Sequence, residues 1–425
     1  MMTETIQKIG KVFLYSLNAF VFAILTKIVR RKKNRILFGS WMGKLYADNT
    51  KYIFEYLMAY KHLELVWCGN ENIKKVLPKA DNIIFVRKGS LKAIYYCLTS
   101  KYIFVSQGLQ ADLTVSKVFE GAIVTHLWHG VPLKRIGLDI SGTKKRSNTL
   151  LRRWTKYLFE EKYDYFVSAS QVNSNIFISA FSNIGATSTN MIPSGTPRND
   201  ILVNATDDKI KELKLKYKKM LGIPLEKRLV TYLPTFRRKN NNIFTFSQLS
   251  NEDNKKLETL LQNENGVLLE KNHFVTYERN NILANRSDLV IKMDQSQQME
   301  IDVQELLLAT DVLISDYSGC YLDFVLLDRP IIHFVYDYDY YKNVDSGLYF
   351  ELEEVAAGPI VKTFDELLFA LEEAFKFENK YNNERQKVRN TYMQYEQGRA
   401  SEIIVSKVMG LSKNEKEDHR DVAYS

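Results

Sequence analysis

The sequence has little cysteine and lacks the common nucleotide-binding motifs. Its 425 residues include three cysteines, Cys68, Cys97 and Cys320, which lie far apart and form no CxxC pair. Such spacing encodes neither a zinc site nor a disulfide framework, and it favours a reducing compartment, the cytoplasm. No GxxxxGK[ST] or GxGxxG sequence is present, which argues against a P-loop enzyme and against a dinucleotide-dependent oxidoreductase.

Size, apolar content and positive charge are abundant instead. With 45% hydrophobic and 26% charged residues, the chain is too long and too apolar to be disordered, and its length suggests two domains with substantial cores. The 59 Lys and Arg against 50 Asp and Glu give a net charge of +9. This excess favours an anionic partner such as phosphate, nucleotide, nucleic acid or an acidic membrane surface.

The N-terminal region places basic residues around an apolar stretch. Residues Val12–Thr26 carry no charge, but they are fewer than the ~20 residues that span hydrocarbon. The basic run KIVRRKKNR follows, and no cleavage site stands between them, which disfavours a signal peptide. We therefore predict a helix that lies in the inner membrane face, with the basic run held by anionic lipids. The alternative is a soluble helix packed on the adjacent domain.

Beyond residue 34, strand-like runs alternate with helix-like segments in two series. The first series is Arg35–Gly39, Leu63–Cys68, Ile83–Val86, Tyr102–Ser106 and Tyr165–Ser168, and the second is Arg228–Tyr232, Gly266–Glu270, Leu289–Lys292, Val312–Ser315 and Pro330–Val335. The charged segment Asp207–Lys219 between them is typical of a connecting helix. This rhythm predicts an α/β fold with mostly parallel sheets, and an active site in the cleft between two such halves.

The predicted organisation has five parts. They are a membrane-associating segment (1–34), a first α/β domain (35–205), a linker helix (206–225), a second α/β domain (226–409) and a charged tail (410–425).

His129 is the first candidate for chemistry. It stands in HLWHGVPLKRIG, and the adjacent Gly130 and Pro132 indicate a turn after a strand. A histidine at such a turn can reach a cleft, and its ordinary pKa of ~6.5 suits it to accept a proton from a hydroxyl. The alternative is a histidine that is hydrogen-bonded in a buried turn. We expect a structural role for His126, which lies inside the strand.

The second candidate is the sequence SDYSGCYLDFVLLDRPIIHF, which begins at Ser315. A strand, a turn with hydroxyl side chains and a helix follow one another there. This arrangement presents backbone N–H groups and serine side chains to a phosphate. The alternative role for Asp316 is that of an N-cap for the helix.

Three further turns carry basic or polar residues after strands: SGTPRND, PTFRRKN and EKNHF. Arg198, Arg237 and Arg238 suit a bidentate phosphate clamp, and His273 suits donation to a developing negative charge. Singly, each residue also fits an ordinary surface role, and together they indicate a phosphate-binding cleft.

The segment Lys144–Phe159, KKRSNTLLRRWTKYLF, interleaves cations and aromatic residues. This pattern suits an anionic membrane or a polyphosphate chain. A solvated amphipathic helix is the alternative, and the lack of any nucleic-acid-binding motif disfavours nucleic acid as a partner.

The motifs HGVPLKRIG, SGTPRND, YLPTFRR and SDYSGCYLDFVLLDRPIIHFVYDYDYY resemble, in this order, those of the CDP-glycerol glycerophosphotransferase family. This family comprises teichoic acid primases and polymerases of Gram-positive bacteria and related capsule enzymes. The resemblance implies two Rossmann-like domains of the glycosyltransferase-B type, the first for the acceptor and the second for the CDP donor. It also implies peripheral attachment to the cytoplasmic face of the cell membrane, and no required metal or cofactor.

The implied reaction moves an alditol phosphate, typically glycerol-3-phosphate, from CDP-glycerol to a hydroxyl of a lipid-linked saccharide or polyol-phosphate acceptor, with release of CMP. By the same resemblance His129 is the base, within an HGxPxK motif completed by Gly130, Pro132 and Lys134. His273 matches a second histidine near the donor pyrophosphate, although Phe274 stands where the family more usually has proline.

The remaining matches lie on the donor side. Ser315, Asp316, Tyr317 and Ser318 match the donor-phosphate turn, and Gly319 replaces a serine that is common there. Arg237 matches the arginine after the PT-aromatic pair, Arg198 is a supporting residue, and Asp323 matches an acidic position of the next helix whose role stays open.

Two rival functions stay open at this point. One is a glycosyltransferase of the same fold that uses a nucleotide sugar, and the other is a membrane-attached binding subunit without turnover. Within the family, the motifs do not choose between glycerol and ribitol, between primase and polymerase, or between teichoic acid and capsule.

Overall fold

The structure is a computed structural model that describes residues 21–22, 24–114, 116–140, 160–235, 244–271, 287–293, 300–338 and 347–412. Most of the predicted apolar segment Val12–Thr26, the segment Lys144–Phe159 and nearly all of the charged tail lie outside the described residues.

Two parallel sheets form the framework. The first contains β1 (Lys32–Gly39), β2 (Glu64–Gly69), β3 (Ile83–Arg87), β4 (Ser100–Val105), β5 (Ile123–His126), β6 (Tyr165–Ser168) and β7 (Met191–Pro193), and the second contains β8 (Arg228–Leu233), β9 (Gly266–Glu270), β10 (Val290–Lys292), β11 (Val312–Ser315), β12 (Ile331–Phe334) and β13 (Ile360–Val361). Their orders are β3-β2-β1-β4-β5-β6-β7 and β10-β9-β8-β11-β12-β13, and neighbouring strands pair in parallel. The predicted α/β fold with parallel sheets is therefore confirmed.

Helices cover both faces of each sheet. They are Asp48–Leu57, Leu91–Thr99, Leu109–Asp112, Gln171–Ala180, Asp200–Val203, Asp207–Leu221, Asn251–Asn263, Val303–Ala309, Cys320–Phe324, Leu352–Val355, Phe364–Lys376, Asn382–Tyr392 and Ala400–Met409. Several begin at a side-chain cap that satisfies a free backbone N–H, as Ser90, Thr206 and Asp302 do.

Burial on both faces explains why the strands are continuous apolar runs. In β1, Leu37 packs in one hydrophobic cluster, whereas Ile36 and Phe38 pack in the cluster on the opposite face. In the second sheet, Leu313 and Ile314 of β11 divide in the same way. Successive strand residues point to opposite faces, so a strand with helices on both sides is apolar at every position. Each such side chain contributes about 1.5–3 kcal/mol when it is fully buried.

The segment predicted as a connecting helix packs on the second sheet. Leu213, Tyr217 and Leu221 of the helix Asp207–Leu221 are buried in a cluster with Leu229. Conversely, the helix Ala400–Met409, the last one among the described residues, contributes Ile404 to the cluster beneath β1 of the first sheet. The chain therefore returns to its first half at the end, while the predicted domain boundaries stay a prediction.

The residues just before β1 combine fold contacts with an exposed surface. Residues 24–28 are helical, and Leu25 packs against the first core, whereas Ile24 and Ile28 are exposed. The Arg31 guanidinium donates to four backbone carbonyls, and Arg35 pairs with Glu64 at 2.9 Å. These two arginines are thus unavailable to lipid headgroups, contrary to the prediction for the whole basic run. In the described part of the chain, no helix has both the length and the apolar character needed to cross a membrane.

Candidate functional site

The candidate site lies where the carboxyl ends of the two sheets meet. In each sheet the strand order reverses at one point, between β1 and β4 in the first and between β8 and β11 in the second. The loops leave in opposite directions at such a point and open a crevice that binds ligands. The loops that follow these strands and the neighbouring β5 carry most of the predicted site residues.

The His129 turn is fixed by side-chain contacts to its backbone. Asn49 Nδ2 donates to the carbonyl oxygens of Leu127 at 3.1 Å and Trp128 at 3.0 Å, and Arg198 Nη1 donates to that of His129 at 2.9 Å. Three consecutive carbonyls are therefore held by two side chains, and the turn after β5 is rigid where the candidate base stands.

The His129 ring is half-buried among aromatic groups. It stacks on Trp128 with 4.1 Å between ring centroids, and Trp41 lies 5.9 Å away. Burial lowers the pKa of His129, and the negative charge of Asp48 opposes this effect. The Nδ1 atom lies 3.4 Å from the carbonyl oxygen of Ser106. A proton on Nδ1 is favoured by that carbonyl, which leaves the lone pair on Nε2 and makes the neutral ring a suitable base.

Backbone strain concentrates around this histidine. Six non-glycine residues of the described chain have a positive φ, and four of them lie in the segments near His129: Trp41 (45°), Met42 (59°), Asp48 (65°) and Trp128 (56°). The Met42 N–H donates to Asp112 Oδ1 at 2.8 Å, which helps to hold the turn. Such conformations cost about 1–3 kcal/mol each and persist where the surroundings enforce them, commonly at functional sites.

The Ser315–Gly319 turn, which follows β11, is anchored to the loop after β8. The Ser315 hydroxyl donates to the Leu233 carbonyl at 3.3 Å, and the Asp316 carboxylate accepts from the Thr235 N–H at 2.9 Å. The helix Cys320–Phe324 has Gly319 as its N-cap and no side-chain cap. The alternative role of Asp316 as a helix cap is therefore excluded, because its carboxylate joins the two loops at the switch point instead.

Tyr317 and Ser318 complete this turn. Tyr317 is buried and its ring stacks with that of Tyr338 at 6.2 Å between centroids, while Ser318 is half-buried. The side chains at the start of this turn are therefore buried, and the Ser318 hydroxyl is partly exposed.

The two candidate turns touch each other. A Cβ placed on Gly319 would lie 2.9 Å from the Val131 carbonyl oxygen, so the missing side chain permits the contact. Pro132 is buried, and the backbone of Lys134 forms an isolated antiparallel β-bridge with that of Leu348. The structure thus brings together the HGxPxK motif and the Ser315–Gly319 turn, which are distant in sequence.

Arg198 and Asp323 form a buried ion pair between the two halves. Arg198 Nη2 lies 2.7 Å from Asp323 Oδ2, and Nη1 lies 3.0 Å from Asp48 Oδ1. The guanidinium is thus occupied by two carboxylates and a carbonyl, which leaves it unsuited to the predicted role of a phosphate clamp. Asp323, whose role the sequence left open, also accepts from Gln304 Nε2 at 2.9 Å.

Further polar residues of this interior were not predicted. Glu396 accepts from the Thr196 N–H and hydroxyl and from Asn199 Nδ2, and burial raises the pKa of Glu396 to about 8. Asp48 and Asn49 were also not predicted, because they belong to none of the sequence motifs. Single polar residues far apart in sequence give no signal before the fold brings them together.

Lys271 is a further residue that sequence reasoning passed over. It follows β9 directly and is half-buried, and burial lowers its pKa to about 8, although the charges of Cys320 and Asp302 oppose this. The signal was present in the sequence EKNHF, where this lysine precedes His273. Arg237, Arg238 and His273 lie outside the described residues, and their roles stay predictions. Among the described residues, no group of three or more His, Cys, Asp or Glu side chains is arranged to hold a metal ion.

Two doubly wound parallel sheets whose turns touch, one turn bearing His129 and the other Ser315 and Ser318, define an α/β protein with a candidate site between its two halves. The chain belongs to the CDP-glycerol:poly(glycerophosphate) glycerophosphotransferase family, whose model matches residues 21–410. The predicted family resemblance, and with it the prediction of a transferase of this class, is confirmed.

Individual relatives extend over nearly the whole chain. The sequence is 30% identical over 402 residues to the teichoic acid poly(glycerol phosphate) polymerase of Bacillus spizizenii, covering 92% of this chain and 96% of that protein. It is 29% identical over 409 residues to the teichoic acid glycerol-phosphate transferase of Staphylococcus aureus, covering 95% and 98%. The solved structure of the wall teichoic acid polymerase TagF matches with a TM-score of 0.76 and 24% identity, covering 96% of this chain and 97% of that one, and shares the fold.

Proposed function

We propose that this protein transfers glycerol phosphate from CDP-glycerol to a hydroxyl of a lipid-linked acceptor in teichoic acid synthesis, and releases CMP. The observation that carries the proposal is the contact between the His129 turn and the Ser315–Gly319 turn, at Val131 and Gly319. In this proposal the base, His129, stands beside the candidate phosphate site, in a cleft of the glycosyltransferase-B kind. Family membership supports the donor, and the names of the relatives support teichoic acid as the product.

The first chemical step in this proposal is proton removal by His129. Its lowered pKa keeps the ring neutral at cellular pH, so Nε2 accepts the proton of the acceptor hydroxyl. The acceptor oxygen then forms a bond to the β-phosphorus of CDP-glycerol. The bond from this phosphorus to the oxygen that bridges it to the α-phosphorus breaks, and CMP leaves with the electron pair.

The donor side stabilises the charge on the departing CMP. The Ser315–Ser318 turn stands at the carboxyl end of β11, and Lys271 directly follows β9. His273 and Arg237 are proposed as further contacts to the pyrophosphate. Lys271 is protonated at pH 7, because its lowered pKa is still about 8, and a bound phosphate favours the charged form further. Fixed groups of this kind lower the barrier without covalent work by the protein.

Attachment to the cytoplasmic face of the membrane is the other part of the proposal. The apolar side chains Val21, Ile24 and Ile28 are exposed, and the cations Lys27, Arg30, Lys32 and Lys33 are exposed close by in the chain. Apolar side chains next to cations suit insertion between anionic headgroups. The segment Lys144–Phe159 is proposed as a second contact, and a lipid-linked acceptor would then be met at the surface to which the enzyme binds.

The deciding experiment measures CMP release from CDP-glycerol with a synthetic lipid-linked disaccharide as acceptor, with CDP-ribitol and UDP-glucose in parallel. We expect acceptor-dependent CMP release from CDP-glycerol, lost in His129→Ala and retained in the control His62→Ala, since His62 is exposed. Turnover of CDP-ribitol and of neither other donor would mean that the protein transfers ribitol phosphate instead of glycerol phosphate. Turnover of UDP-glucose without either CDP donor would overturn the proposal.

A further inference from the structure

A buried polar cluster under the His129 turn joins the two halves of the molecule. Arg198 lies at its centre, in the short 3-10 helix Pro197–Asn199. Its Nη1 donates to the Asp48 carboxylate and the His129 carbonyl, and its Nη2 pairs with the Asp323 carboxylate. Asp48 begins the helix Asp48–Leu57 and His129 follows β5, both in the half of the first sheet, whereas Asp323 lies in the helix that follows the Ser315–Gly319 turn. One side chain therefore contacts both sides of the cleft.

The contacts of Arg198 extend to the whole His129 turn. Its backbone N–H donates to Asn49 Oδ1 at 3.1 Å, and Asn49 in turn holds the carbonyls of Leu127 and Trp128. A movement of Arg198 would therefore disturb the hydrogen bonds of three consecutive residues that end at His129.

The structure makes room for this guanidinium at Gly130. A Cβ on Gly130 would lie 2.4 Å from Arg198 Nη2, and Gly130 has a φ of +117° that disfavours other residues. On the opposite side, Asp323 is held by Gln304 Nε2 at 2.9 Å and Asn199 Nδ2 at 3.0 Å. Both ends of the contact are therefore held by neighbouring groups.

We propose that Arg198 is a positioning residue. Through Asp323, it couples the position of the Ser315–Gly319 turn to the orientation of the His129 ring. The base is then aligned only when the two halves are packed against each other. The inference rests on the proposed function, in which His129 accepts the acceptor's proton. Such coupling disfavours donor hydrolysis, because an open cleft that admits water has a misaligned base.

The first test follows the His129 ring by NMR and does not depend on activity. Histidine labelled with ¹³C at Cε1 reports each ring's titration, and the resonance that disappears in His129→Ala assigns His129. The charged or titratable groups that act on this ring are Asp48, Arg198 and His126. Arg198→Gln removes a positive charge, so we expect the pKa of His129 to rise by about 0.5 unit or more.

Asp323→Asn should have the opposite effect on the same resonance. The positive charge of Arg198 is then neutralised less, so the pKa of His129 falls, while the substituted side chain keeps its size. A purely structural role predicts no such pair of opposite shifts. An unchanged His129 resonance and titration in both variants would overturn the coupling, whatever reaction the protein catalyses.

The second test uses rates. Arg198→Gln and Asp323→Asn should each lower kcat about 10–100-fold, with the KM for CDP-glycerol changed less than about threefold. In a His129→Ala background each should add less than about a threefold further loss, since its effect acts through His129. A fully additive loss would contradict the coupling. A wild-type protein without CMP release would instead contradict the proposed function, and the NMR titration would still decide the coupling.

A matched control separates this contact from general packing between the halves. Lys51 Nζ lies 2.8 Å from Asp302 Oδ2, an ion pair that also joins the two halves and is buried to a similar degree. Lys51→Met removes that pair without touching the His129 turn, so we expect an unshifted His129 titration. The same shift in Lys51→Met as in Arg198→Gln would overturn a specific role of Arg198. Arg198→Lys, which keeps the charge, should retain part of the rate if Arg198→Gln folds poorly.

Discussion

The two turns that face each other across the cleft are built in different ways. The His129 turn has a left-handed residue on each side of the histidine, Trp128 and Gly130, and its carbonyls are held by side chains from other loops. The Ser315–Gly319 turn has no positive φ among its described residues. It is held by two buried side chains, those of Ser315 and Asp316. A general base needs one orientation, whereas a phosphate can be held by several donors in several geometries. Strain therefore accompanies the turn to which the proposed mechanism assigns the proton transfer.

The largest effect is expected at the base itself. His129→Ala should lower kcat about 10²–10⁴-fold, because a positioned general base contributes about that much. CDP-glycerol affinity, measured by calorimetry, should change less than about threefold, since the donor turn lies on the other sheet. Near-full activity in folded His129→Ala would show that His129 is not the base. The contrast between the two turns would then have no catalytic explanation.

The second effect tests the strain on the His129 turn. In Gly130→Ala the new Cβ meets Arg198 Nη2 at 2.4 Å at a φ of +117°, so we expect kcat to fall about 10–100-fold and the protein to lose about 1–3 kcal/mol of stability. Gly222→Ala is the control, because Gly222 has a φ of +70° but no atom within 4 Å of a built Cβ. Thermal unfolding and kcat should separate collision from backbone strain. Equal losses of activity in the two variants would mean that Arg198 is not displaced.

The pH dependence provides a third test of the same turn. The base must be unprotonated, so kcat/KM should fall about tenfold per pH unit below the pKa of His129. Burial lowers this pKa, which places the acidic limb of the profile below the ordinary value of about 6.5. A limb at or above that value in the wild-type protein would show that the folded turn stabilises the charged imidazolium instead.

The sequence was most informative where physical patterns are local. Strands such as Tyr165–Ser168 and Val312–Ser315 were predicted at their observed ends, because apolar runs between turns mark strands buried on both faces. The edge strands β7 and β13 were missed, since three and two residues are too few to form a recognisable strand pattern in the sequence. The motif turns were also placed correctly at the carboxyl ends of strands, since a histidine or serine cluster directly after an apolar run is visible in sequence.

The residues that hold these turns were not visible. Asp48, Asn49 and Glu396 are separated from their partners by dozens to hundreds of positions, and a lone polar residue looks like a surface residue until the sheets bring its partners near. Arg198 was identified but misinterpreted, because a basic residue at a turn fits a phosphate clamp as well as a buried ion pair. Its partners Asp48 and Asp323 decide between the two.

The smallest effect is expected at the contact between the turns. Gly319 has an ordinary φ of −61°, so Gly319→Ala introduces no backbone strain, but the Cβ lies 2.9 Å from the Val131 carbonyl oxygen. A displacement of a few tenths of an ångström relieves this contact, so we expect the KM for CDP-glycerol to rise about two- to fivefold, with less effect on kcat. Gly319→Ser should recover part of the loss, because its hydroxyl can donate to the Val131 carbonyl or to the donor phosphate. Steady-state kinetics of the two variants measures this, and a loss of kcat as large as that of Gly130→Ala would show that the donor turn is as rigid as the turn of the base.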